Sequence, residues 1–197
     1  MSAYQFQPYQ QGELDSLCAL YSIVNAVGVA VRKRPEPGSE KSQSLRMRRL
    51  ADKHADRLFE HLARAADRLV GLTTVLERGI KTPTVGKLLT SADRHLCLRH
   101  HTRLLWSKPF HREPLVDPER LVSRLGRHLE APHTAVVLGY LQHWSTISAV
   151  TPGRLVLADS SGDFWLARRG RRGTHARTIW PTSVFLIRLT PIPAEKV

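Results

Sequence analysis

At Thr134 the hydrophobic period of the chain changes, and this change limits the fold more than any other feature. Before it, apolar residues recur at three- and four-residue steps, the period of helices with one buried face. After it come TAVVLGYL, HWSTISAV, RLVLADS, DFWLAR and TSVFLIRL. These runs are short, rich in β-branched and aromatic residues, and divided by turn signals such as TPG and SSGD. Helices followed by an antiparallel meander make an α+β domain the expected class. The 197 residues suit one domain with a substantial core, and neither an internal repeat nor a second domain is evident.

The helical part has its own punctuation. Leu20, Ile23, Val24, Val27 and Val31 define a first helix over residues 18–31, with Asp15 or Ser16 as its cap. Residues 32–44, charged and rich in Pro, Gly and Ser, read as an exposed loop. A mainly helical stretch over residues 45–129 follows, with a sheet over 134–190. Within that stretch, Ala55, Leu58, Phe59, Leu62, Ala66, Leu69 and Val70 carry a helical stripe that runs on to about residue 76, and Gly71 marks a break. Thr82–Pro83 and Asp117–Pro118 are start signals for two further helices. LCLRHHTRLLW, residues 96–106, reads as a strand.

Composition then narrows the function. Hydrophobic residues make up 42% and charged residues 24%, the balance of a soluble globular protein. No apolar run approaches the length of a membrane span, and the first ten residues lack the basic and apolar regions of a signal peptide. Two cysteines make no disulfide framework, so the expected setting is the reducing cytoplasm, with both thiols free. The net charge of +13 attracts polyanions and acidic partners. Its charges are scattered rather than grouped in a nucleic-acid motif, so nucleic acid is not an expected partner. The basic run ARRGRRGTHAR, residues 167–177, reads as a solvated hairpin tip that can meet an acidic partner. His95, Cys97 and His101 would share one face of a strand. They are not followed by a second ligand set, and their basic neighbours would repel a cation, so no metal and no cofactor are expected.

Chemistry is best sought at Cys18. A free cysteine on an apolar helix is usually a small core hydrophobe. At the first helical turn, however, unpaired backbone N–H groups and the helix dipole favour a thiolate. Among ten histidines, His143 stands out because it enters a strand, where the sheet can hold it rigidly. Asp159 closes the following strand sixteen positions on, beyond the TPG turn, so the two can lie side by side on paired strands. A carboxylate there can accept the imidazole N–H and fix its orientation, although DSSGD is also good turn sequence. An amide donor for an oxyanion would come from Gln11, seven positions before Cys18, or from Gln10, with Gln11 preferred for its shorter loop.

Glutamine, a polar loop, a cysteine opening a helix, then a distant His and Asp on strands is an order that resembles the papain-like cysteine peptidases. QGELDSLCALYSIVNAV is similar to the start of Josephin-type deubiquitinases. HWSTISAV and LVLADSSG are similar to the peptidase domains of bacteriocin-exporting ABC transporters. The resemblance covers the two ends of the chain, and residues 32–127 match neither family. It implies Cys18 as nucleophile, His143 as base, Asp159 as orienter and Gln11 in the oxyanion hole of a peptide or isopeptide hydrolase without cofactor or metal. It also implies cleavage after glycine. The sequence itself adds Trp144, a bulky neighbour of His143 expected to wall the approach to the thiol, and a positive charge that favours acidic or neutral substrates. Two other readings stay open. One is a thiol acyltransferase or amidase with the same triad; the other is a silent papain-like module that binds a protein or nucleic acid.

Overall fold

The computed structural model describes residues 15–33, 55–160, 165–167 and 179–192. It is an α+β protein of five helices and one antiparallel six-stranded sheet among these residues. Helices α1 (Cys18–Arg32), α2 (Ala55–Val70), α3 (Leu72–Arg78) and α4 (Thr82–His100) precede strand β1 (Thr102–Ser107). Helix α5 (Pro118–Glu130) then leads into β2 (Thr134–Tyr140), β3 (His143–Val150), β4 (Arg154–Leu157), β5 (Trp165–Ala167) and β6 (Ile179–Pro191).

The sheet order is β1-β6-β2-β3-β4-β5. Strands β2 to β5 are the expected meander. The last strand departs from it: β6 returns to the far side of β2 and also pairs with β1, which comes from within the helical region. Pleating explains the two cores. Ala135, Val137, Trp144, Phe185 and Ile187 face α1, α2 and α4, whereas Val136, Leu138, Ile147, Val184 and Leu186 face α5. Helix α1 is apolar nearly all round because it lies between β2 and β3 on one side and α2 on the other. Leu20, Ile23, Val24 and Val27 are all buried there, each contributing roughly 1.5–3 kcal/mol of transfer free energy.

Several local expectations are corrected. Residues 96–106 are not one strand. Helix α4 runs to His100 and ends with His101 in the left-handed region (φ 49°), its N–H bonded to the Cys97 carbonyl. A left-handed cap stops a helix without glycine, and β1 starts at the next residue. His95 and Cys97 therefore point to different sides of a helix, and the described residues contain no cluster able to hold a metal. No side-chain oxygen caps α1: a 3-10 turn over Asp15–Leu17 precedes it, and the Ser16 hydroxyl donates instead to the Leu76 carbonyl at 2.5 Å. Nor is Thr82 a cap. Lys81 takes that position, and Thr82 Oγ1 lies 2.7 Å from Ser183 Oγ. Asp117 does cap α5, accepting from the Arg120 N–H at 2.9 Å. Gly71, at φ 81°, breaks the long stripe between α2 and α3, and Leu69, Val70 and Leu76 beyond its buried part are exposed. Most of the exposed-loop segment 32–44 and of the basic run 167–177 lies outside the described residues. No helix among them is long and apolar enough to cross a membrane.

Candidate active site

Cys18 is the first residue of α1 and is 5% exposed. The residue before it, Leu17, has no side-chain oxygen to offer, and the first turn holds no acidic side chain. Among the described residues, no N-cap side chain accepts from the first-turn N–H groups, which lie at the positive end of a fifteen-residue helix dipole.

His143 reaches this point through a tight turn. Leu141 and Gln142 both adopt positive φ, 44° and 65°, so Tyr140 and His143 face each other across a two-residue hairpin. Such turns normally recruit Asn or Gly, which tolerate the left-handed region; Leu and Gln carry a strain there. The Tyr140 ring stands edge-on to the imidazole at 5.6 Å between centroids. His143 Nε2 lies 3.0 and 3.2 Å from the two carboxylate oxygens of Asp159, whose side chain is fully buried. The carboxylate takes Nε2, which leaves Nδ1 as the ring nitrogen for a further partner, and Cys18 is near enough to act on the charge of the imidazole. Burial opposes charge on His143. The hydrogen bonds to Asp159 and Cys18, with the attraction of both groups, outweigh burial and raise its pKa from 6.5 to about 10.

Two buried hydrogen bonds fasten α1 to β3, which carries His143, and to the segment just after β4, where Asp159 stands two residues beyond the strand it was expected to close. Thr146 Oγ1 donates to the Ser22 carbonyl at 2.6 Å, and Asn25 Nδ2 donates to the Ala158 carbonyl at 3.3 Å. The Ala158 N–H in turn donates to the Thr146 carbonyl at 2.8 Å, which sets Asp159 beside β3. None of these residues was singled out from the sequence. The available signal was Asn25, a polar side chain on an otherwise apolar helix. Polar groups in such places are held by partners.

Three of the four expected site residues are thus brought together. Gln11 and its alternative Gln10 lie outside the described residues. Trp144 does not wall the approach. Its indole is buried in the core, with Nε1 donating to the Ile80 carbonyl at 2.8 Å and the ring packed near Phe185. Alternation along β3 sends Trp144 to the helical face, and its N–H finds a backbone acceptor there. Cys97 shares no bond with this group. No family model matches the chain, and no curated protein matches it.

Proposed function

We propose that this protein is a papain-like cysteine hydrolase that cleaves a peptide or isopeptide bond through a thioester. The observation that carries the reading is the placement of His143. One ring nitrogen is held by the buried Asp159 carboxylate, and the other is left for a thiol at a helix start.

In this mechanism Cys18 Sγ attacks the scissile carbonyl carbon, and the electron pair of the C=O bond moves to oxygen. The Cys18 backbone N–H and a glutamine amide, Gln11 or Gln10, stabilise that oxyanion. The imidazolium of His143 gives its proton to the departing amine, and a thioester remains on Cys18. His143, now neutral, takes a proton from water as the water attacks the thioester. The acid leaves and the Cys18 thiolate is restored beside the imidazolium of His143. Asp159 keeps the ring oriented and stabilises its charged form throughout.

The covered position of Cys18 supports a thin acyl group. Glycine immediately before the cut, which has no Cβ to clear, is the preferred residue. A probe made from a glycine-ended peptide with a thiol-reactive group in place of the scissile bond tests the assignment. It should modify Cys18 and leave Cys97 untouched. Equal modification of both cysteines, or of neither, contradicts it.

A further inference from the structure

On the outer side of the helical layer, α2 and α4 form a cavity of about 750 Å³ whose lining is almost entirely basic. Helix α2 supplies Arg57, His61, Arg64 and Arg68 at three- and four-residue steps, so all four point to one groove. From α4 come His95 and Arg99, one turn apart on the facing side. Among the described residues Glu60 is the sole carboxylate in the lining, and it pairs loosely with Arg64 at 3.4 Å. Four guanidinium groups against one carboxylate leave a formal +3 in the groove before any imidazole is charged. Among the described residues, Arg57, Arg68 and Arg99 form no ion pair.

The imidazoles are built into the groove rather than splayed from it. His61 Nε2 donates to the Ser91 carbonyl at 3.2 Å and lies 2.9 Å from Ser91 Oγ. The His61 and His95 rings lie 4.6 Å apart between centroids, tilted 34° to each other. Burial holds the His61 pKa below its ordinary value, despite the bond to Ser91 that favours its charge, and the fields of Arg68, Arg64 and Arg94 push the same way. A folded protein that gathers like charges around a cavity without compensating them loses stability through repulsion. An anion that fills the cavity removes that repulsion.

We propose that this groove binds a compact oligophosphate: two or three adjoining phosphate groups, free or carried on a nucleotide. The choice of phosphate rests on charge density. A ligand that neutralises +3 or more inside 750 Å³ must bring several charges on few atoms. Each terminal phosphate carries about −1.5 to −2 and accepts bidentate arginine forks. An acidic peptide brings one charge per residue along a bulky backbone. Nucleic-acid strands likewise spread single charges along their length.

Titration of the full chain with inorganic triphosphate, followed by calorimetry at constant ionic strength, tests this. Binding should weaken at least tenfold in the Arg64→Gln/Arg68→Gln variant. Both positions are exposed on a helix and glutamine is a good helix former, so the fold should survive; unchanged circular dichroism checks this. Glu60→Gln should bind more tightly than the wild type, a gain that a damaged fold cannot produce. Adenosine triphosphate binding more tightly than inorganic triphosphate would mark a nucleotide, with the paired imidazoles against its base; equal binding would mark the phosphates alone. Labelling of Cys18 should be the same in all variants, which separates this site from the proposed hydrolase chemistry. Triphosphate affinity that is unchanged in both variants, or hexaglutamate or a single-stranded oligonucleotide binding more tightly than triphosphate, would overturn the proposal.

Discussion

In the proposed mechanism Cys18, His143 and Asp159 divide the chemistry in a way that single substitutions can separate. Cys18→Ala should abolish acyl-enzyme formation at a stability cost of about 1 kcal/mol, because a small residue still fills the helix start. Cys97→Ala should leave activity unchanged. Asp159→Asn keeps a hydrogen-bonding side chain but removes the charge that supports the imidazolium, so turnover should fall while Cys18 can still be alkylated. The same substitution has a pH signature. The folded-state pKa of His143, about 10, lies above its ordinary 6.5. Protonation of His143 therefore stabilises the fold fully below pH 6.5, and this contribution is lost as pH rises through about 10. Urea denaturation should show the wild type's advantage over Asp159→Asn at its largest below pH 6.5 and shrinking toward pH 10. A pH-independent difference would mean that the charged pair does not contribute.

At the scale of elements, α1 is held in register with β3 by Thr146 to Ser22 and Asn25 to Ala158. Thr146→Val preserves shape and deletes one buried bond, at a cost of about 0.5–1.5 kcal/mol. Because that bond sets the distance from helix start to His143, kcat should fall more than KM changes. Equal losses in both would assign Thr146 to stability alone. The hairpin before His143 offers the opposite experiment. Replacing Leu141–Gln142 by Asn–Gly suits the positive φ values and should raise stability by about 1 kcal/mol in chemical denaturation. These two features were illegible in the sequence for different reasons. Leu–Gln carries no turn signal, and a threonine within a strand does not announce which carbonyl it will meet. The spacing of His143 and Asp159 was legible because a short turn leaves two antiparallel strands few ways to pair. The helix starting at Cys18 and the cap at Asp117 were legible for similar local reasons. The return of β6 to β2 was not, since it joins segments with no local signal for each other. The reading of residues 96–106 as a strand failed because β-branched-poor histidine and leucine runs fit either period, and the left-handed His101 cap decided it.

For the molecule as a whole, the helices on one side present Cys18 and the sheet side presents His143, so the proposed activity would belong to the docking of the two layers. Under the proposed function, the overall +13 charge would add a preference among substrates. A peptide library should show glycine before the cut, with acidic or neutral residues favoured over lysine and arginine around it. Efficient cleavage after large side chains would remove the glycine preference and leave the hydrolase assignment standing. The central claim is that Cys18 is a nucleophile activated by His143. Mass spectrometry after timed exposure to a small neutral alkylating reagent at pH 6 measures this most directly. The wild type should be modified at Cys18 far faster than at Cys97, and His143→Ala should slow Cys18 by at least an order of magnitude without changing Cys97. Slow modification of Cys18, with no difference between wild type and His143→Ala, would contradict the account and make Cys18 a core residue.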